Sequence, residues 1–167
     1  MAGYTIRTFG DPVLNQQAAE ITDINGAVKR LADDMLAPLR EVEGLGLAAP
    51  QVGVLKRLFI YDLRDERGPQ TIVNPVISES RGEWEYEEGC LSVPGLYFPI
   101  VRPKEIHLTG WDLDGNEVSI EADELLARLF QHELDHLDGK LLLEMLDDDM
   151  RKQALKELRK RRLRDLL

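Results

Sequence analysis

Apolar residues recur along this chain in two periods, and the changes of period mark its elements. Between Asn25 and Val42, the residues Val28, Leu31, Met35, Leu36 and Leu39 repeat at helical spacing, and Asn25 stands where a helix cap belongs. Pro38 falls inside that stretch, lacks a backbone donor, and predicts a kink or an end nearby. Leu58-Phe59-Ile60-Tyr61, Thr71-Ile72-Val73 and Ile106-His107-Leu108-Thr109-Gly110-Trp111 predict strands. Val118-Ser119-Ile120 predicts the return strand after an Asp114-Gly115 hairpin turn. Trp84-Glu85-Tyr86 alternates like a strand and leads into Glu88-Gly89-Cys90-Leu91-Ser92. The helical period returns from about Asp123 to Leu137, with Asp123 as its cap and Gly139 as its stop. Glu144 to Arg164 predicts a polar, charge-rich helix, its basic part at about 147–165. Strands in the middle and helices at both ends predict an α+β fold, one domain over residues 1–167.

Composition narrows the setting. The chain has 167 residues, 43% apolar and 31% charged, which is an ordinary globular balance. No apolar run is long enough to span a bilayer, so no membrane role is expected. The first residues lack the basic and apolar regions of a secretory signal. A single cysteine, Cys90, excludes an internal disulfide framework and suits a reducing, cytoplasmic setting. Net charge is −10, unevenly spread. Residues 151–167 hold eight Lys/Arg and two acids, net +6, which leaves −16 on residues 1–150. An acidic body argues against general binding to DNA or RNA, whereas the basic tail suits a local anionic contact.

The sharpest chemical feature is His132-Glu133-Leu134-Asp135-His136. Histidines at i and i+4 of a helix point the same way, so both imidazoles reach one metal ion. Glu133 follows the first of them and is placed to act as a base on a water, the arrangement of metal-assisted hydrolysis. A catalytic site of this kind takes three protein ligands and keeps one position open. The metzincin pattern would put a third histidine at position 142, which is Leu142. Glu144 and Glu157 are poorly placed as alternatives. Cys90 remains, next to a glycine that lets backbone come close, and its thiolate suits a divalent transition metal. His107, the third histidine, reads as an ordinary strand residue.

Three segments, Gly44-Leu45-Gly46-Leu47-Ala48-Ala49-Pro50-Gln51, Glu88-Gly89-Cys90-Leu91-Ser92 and Gln131-His132-Glu133-Leu134-Asp135-His136, resemble the signature motifs of bacterial peptide deformylases in order and spacing. The resemblance implies an α+β fold of mostly antiparallel sheets around a central metal-binding helix, with a C-terminal helix. It implies removal of the formyl group from formyl-methionine at the start of newly made proteins, with release of formate. Cys90, His132 and His136 would then hold one divalent metal, ferrous iron first, with nickel, cobalt or zinc as alternatives. Glu133 would be the acid/base. The Gln51 side-chain amide and the Leu91 backbone N–H would face the developing oxyanion.

By the same resemblance, Leu45, Gly46, Tyr86, Leu125, Leu129 and the His132 ring would wall the methionine pocket. Substrate backbone would pair at Leu45 and Gly89 like an added strand. Glu88 and Arg102 would form an ion pair steadying the Cys90 loop. Arg128 departs from the aliphatic residue common at its place in the family; either its stem lines the pocket with its head in solvent, or it stands on an exposed edge. The partners implied are N-formylmethionyl nascent peptides; the basic C-terminal helix reads either as a contact to the ribosome or as a solvated helix that pairs with the acidic body. Two rival readings are a metallopeptidase and a silent metal-stabilised binding module. The first two motifs argue against the peptidase, and Glu133 argues against the module.

Overall fold

In the computed structural model, which describes residues 3–165, the stretch predicted as one helix is two. They are α1 (Gly26–Asp34) and α2 (Leu36–Glu41). Asn25 caps α1, its side chain accepting from the Ala27 and Val28 N–H groups at 3.0 and 3.2 Å. The break comes at Met35. Pro38 offers no N–H to the carbonyl one turn earlier and its ring crowds that turn, so the chain starts a new helix.

Five strands form an antiparallel sheet: β1 (Gly46–Ala48), β2 (Leu58–Tyr61), β3 (Gln70–Arg81), β6 (Glu105–Trp111) and β7 (Glu117–Asp123), in that spatial order. A separate antiparallel ribbon pairs β4 (Trp84–Cys90) with β5 (Val93–Arg102). β3 runs eight residues beyond the predicted Thr71–Val73, because its far half is polar and exposed and gives no apolar alternation. β5 escapes the pattern for another reason. Pro94, Gly95 and Pro99 read as turn residues, yet a two-stranded ribbon has only edge strands, and an edge tolerates proline.

The chain passes straight from β7 into α3 (Glu124–Leu137). Asp123 stands at the predicted cap position, but its side chain makes no capping bond. The Glu124 N–H bonds instead to the Lys104 carbonyl at 2.8 Å. α3 lies across the five-stranded sheet. Its Phe130 packs on Phe59 and Tyr61, with ring centroids 5.8 and 5.1 Å away. The opposite face of the sheet is covered by α1 and α2 through Val28, Leu31, Met35 and Leu39. α4 (Asp148–Asp165) starts later than Glu144, after a 3-10 turn at Leu142–Met145. Ala154, Leu155 and Leu158 of α4 join the apolar cluster under the ribbon, together with Leu142, Leu143 and Leu146. The architecture is the α+β arrangement expected, with antiparallel sheets around α3 and a C-terminal helix. Among the described residues, no helix is long and apolar enough to cross a membrane.

Gly139 ends α3 at a φ of 72°. A Cβ there would lie 2.8–2.9 Å from the backbone of Asn15 and Gln16. The backbone angle and the close approach act together. Gly139→Ala is expected to lower stability by at least about 1 kcal/mol in urea unfolding, more than the helix-propensity gain returns.

Candidate metal centre

α3 places His132 and His136 one turn apart, with ring centroids 4.9 Å from each other. β4 brings Cys90 to them. The β4–β5 register shifts between Gly89 and Cys90, and such a bulge re-aims the side chain that follows. Cys90 Sγ lies 3.2 Å from His136 Nε2, which lies 3.2 Å from His132 Nε2. The three ligand atoms all fall within 4.8 Å of one another. Ligands about 2.0–2.3 Å from a common ion at tetrahedral angles are roughly 3.3–3.6 Å apart, so the set fits one divalent transition metal. Glu144 and Glu157 are not part of this set, and Glu157 faces Arg161 at 3.3 Å on α4. His107 stands apart on β6 against Glu121 and Ser119, at 2.6 and 2.9 Å.

Charge at the centre follows from the packing. Burial works against the Cys90 thiolate, but His136 and His132 outweigh it and hold the thiol well below its ordinary pKa. Burial likewise works against charge on His132, yet Cys90 and Glu88 raise it well above the usual histidine value. A thiolate beside two imidazoles is a donor set that suits a divalent transition metal. His132 Nδ1 lies 2.6 Å from Glu88 Oε1. A carboxylate only accepts, so Nδ1 is the donor and Nε2 is free to coordinate. His136 Nδ1 is buried without a protein partner among the described residues.

Glu88 is itself held from two sides. Arg102 donates to it through Nη2 and Nε at 2.7 and 2.9 Å, and reaches Asp135 at 2.8 Å. This is the Glu88–Arg102 pair expected, extended to a third residue. Arg128 differs from expectation. It is buried, and its head turns inward: Nη1 donates to Glu88 Oε2 at 2.6 Å and Nη2 to the Trp84 carbonyl. The reason is visible in the register. Arg128 sits one helical turn before His132, on the face that meets Glu88. A lone arginine in an otherwise apolar stripe was the sequence signal, and its buried partner lay forty residues away. Burial raises the Glu88 carboxyl, but hydrogen bonds from His132 and Arg102 overcome it and leave Glu88 well below the usual carboxylate range.

A cavity of about 540 Å³ opens beside the three ligands. Cys90, His132 and Glu133 line it, as do Gln51, Leu91 and Glu88. Leu45, Gly46, Tyr86, Gly89, Leu125 and Leu129 line it too, so every expected pocket residue is present. Leu129 is buried, whereas Tyr86 and Leu125 are exposed and stand at the mouth. Leu96 and Tyr97 of β5 also contribute, which the sequence could not indicate because β5 itself was hidden. Gln51 lies in a buried 3-10 turn. Its Oε1 accepts the Ala48 N–H at 2.9 Å, and its Nε2 donates to Ser92 Oγ at 3.2 Å and stands 4.0 Å from Cys90 Sγ.

Glu133 is buried, and burial raises its carboxyl despite the opposing pull of His132 and His136. Gly46 makes room for it: a Cβ on Gly46 would lie 2.7 Å from Glu133 Oε2. Gly46→Ala must push that carboxylate aside. It is expected to lower kcat/KM by about 10²-fold while metal content stays at one per chain, read by steady-state kinetics beside elemental analysis.

A family model described as polypeptide deformylase matches residues 4–152. A peptide deformylase from Agathobacter rectalis is 48% identical over 147 residues, which span 88% of this chain and 92% of that one. The crystal structure of a peptide deformylase from Legionella pneumophila superposes with a TM-score of 0.92 at 38% identity, covering 98% of both chains. That of the Ehrlichia chaffeensis peptide deformylase in complex with actinonin gives 0.90 at 37% identity, covering 96% of this chain and 98% of the other. The match spans most of the sequence and the whole fold, and the chain belongs to the polypeptide deformylase family.

Proposed function

We propose a division of labour among this chain's residues for the family's reaction, the removal of the N-formyl group from formyl-methionine at the start of new proteins. Cys90 Sγ, His132 Nε2 and His136 Nε2 hold one divalent metal, and ferrous iron is the resident ion in a cytoplasmic setting. When bound, it supplies Lewis-acid polarisation and a more acidic water. Glu133 takes the proton from the attacking water and later returns one to the leaving amine. The raised Glu133 carboxyl supports this, since a base that must also act as an acid works best with a pKa nearer the operating pH. Gln51 Nε2 and the Leu91 N–H donate to the oxygen on which negative charge develops. Formate and a free amino terminus leave.

The single observation that carries this reading is the buried Glu133 carboxylate beside the Cys90–His132–His136 set, facing the cavity. Leu45, Gly46, Tyr86, Leu125 and Leu129 receive the methionine side chain, and Gly89 pairs with the peptide. β1 is the edge of its sheet and β4 has a free edge, so both offer backbone to an added strand. The Leu45 carbonyl already accepts the Asp62 N–H at 2.8 Å. The Leu45 N–H has no backbone partner among the described residues, so it is the group that pairs with the peptide there. Residues 1–167 act as one unit, because α4 shares the apolar cluster that holds Cys90.

Anaerobically prepared, iron-loaded protein is expected to release formate and free amine in equal amounts from a formyl-Met tripeptide, without internal peptide cleavage. Exposure to air should abolish activity through the metal or Cys90. Glu133→Gln should lose 10²–10⁴-fold in kcat, to order of magnitude, with its metal retained. No formate from protein with verified metal would overturn the reading.

The ribosome is the proposed macromolecular partner, through α4. Six of its basic residues are exposed: Lys152, Lys156, Arg159, Lys160, Arg162 and Arg164. Arg151 and Arg161 serve the fold instead. Arg151 bonds the Leu143, Glu144 and Leu146 carbonyls, and Arg161 bonds the Pro94 carbonyl at 2.6 Å. Pro94 lines the cavity, so the basic helix lies beside the site that takes the nascent chain. Removing α4 would expose the cluster under the ribbon, so charge reversal is the cleaner test. Lys152→Glu, Lys156→Glu and Lys160→Glu together should weaken ribosome binding and flatten its salt dependence, with tripeptide turnover unchanged. Undiminished binding would dismiss this partner.

A further inference from the structure

We propose that Arg128 is a positioning residue of the metal centre, which fixes Glu88 and, through Glu88, the orientation and donor strength of His132. The inference rests on the reading of Cys90, His132 and His136 as metal ligands.

Geometry is the first argument. Arg128 and His132 sit one turn apart on α3 and grip the two oxygens of one carboxylate. Arg128 Nη1 holds Oε2 at 2.6 Å, and His132 Nδ1 holds Oε1 at 2.6 Å. Arg102 takes both oxygens from the β5 side, at 2.7 and 2.9 Å. Each Glu88 oxygen thus receives two donors. Turning the carboxylate to release His132 would also break its bond to Arg128. The plane in which the His132 ring must lie is thus set from α3 itself, through Arg128, and from β5, through Arg102.

Charge is the second argument. Without Arg128, the cluster has two carboxylates, the buried Glu88 and the half-buried Asp135, and one guanidinium, Arg102. Arg128 supplies the second positive charge and makes the cluster neutral. An extra negative charge beside the His132 Nδ1–H would draw on that proton and alter Nε2 as a ligand. The seat of Arg128 is also specific. Its guanidinium carbon lies 5.3 Å from the Trp84 ring centroid and 5.7 Å from that of Tyr86, and the two rings stack at 4.9 Å. A flat, delocalised cation fits this place, and an ammonium does so less well.

The test uses the full chain loaded with cobalt, whose absorption reports the ligand field. Arg128→Met is expected to weaken cobalt affinity by 10–100-fold, to order of magnitude, shift the cobalt bands, and lower kcat more than it raises KM. Arg128→Lys should recover part of the affinity. In a Glu88→Gln background, Arg128→Met should change affinity less than twofold, because its route to the metal is already gone. Arg128→Gln, which keeps a donor for the Trp84 carbonyl, gives the same readout should Arg128→Met fail to fold. Wild-type bands and affinity with only a raised KM would make Arg128 a pocket wall and overturn the inference. So would an undiminished effect in the Glu88→Gln background. Failure of the unaltered protein to bind one cobalt would instead overturn the ligand assignment itself.

Discussion

Glu88 is a carboxylate taken out of water, and such a group is tolerated only where donors replace the lost hydration. Here Arg102 of β5 and Arg128 and His132 of α3 replace it, with four hydrogen bonds between them. The consequence reaches beyond one side chain. β4 and β5 form a ribbon that does not pair with the five-stranded sheet. The Glu88 bonds tie that ribbon to α3, and so bring Cys90 to the two histidines. Breaking one partner of a buried cluster like this costs about 3–5 kcal/mol, much of a domain's net stability. Because the folded Glu88 carboxyl lies below its unfolded value, this contribution is complete above the ordinary carboxylate range and fades as pH falls through and below it.

Small residues set the remaining distances. A Cβ on Gly44 would meet Leu91 at 2.9 Å, and one on Gly89 would meet the Tyr97 ring at 2.5 Å. These contacts lie on the strands and turns that line the cavity. The backbone of β1 comes near enough to α3 for the Glu133 carboxylate to rest against Gly46. The bulge at Gly89 and Cys90 serves the same end from the other side, because a regular strand would carry the thiol to a different bearing. The walls of the cavity are therefore fixed by backbone, and its chemistry by three side chains brought from β4 and α3.

α3 was legible because its signals are local: the helical period, the Gly139 stop and the i, i+4 histidines all lie within one stretch. Its cap was not, since Asp123 leaves the first turn to a bond between Glu124 and Lys104. β5 was hidden by prolines that only an edge strand accepts, and the far half of β3 by its polarity. The metal set could be read by elimination for Cys90 and by spacing for the histidines. Arg128 shows the limit most clearly. A basic residue on an apolar face reads as a snorkelling side chain, whereas its buried carboxylate partner becomes visible only once β4 is laid against α3.

The same site treats two buried glutamates in opposite ways, and the difference explains why both are needed. Glu88 has every oxygen lone-pair direction engaged by cations or a histidine N–H, which leaves it ionised and immobile. Glu133 accepts no hydrogen bond from the described residues, and burial lifts its carboxyl instead. A carboxylate already saturated with donors cannot take a proton readily. One that is buried, sparsely solvated and open to a cavity can take a proton and give it back. Because Glu133 also sits between the two histidines in sequence, the helix that presents the ligands presents the base at a fixed offset from them. The saturation of Glu88 keeps His132 still while Glu133 exchanges its proton. A site with the two environments exchanged would have a rigid group that cannot do acid–base work and a mobile one under a metal ligand.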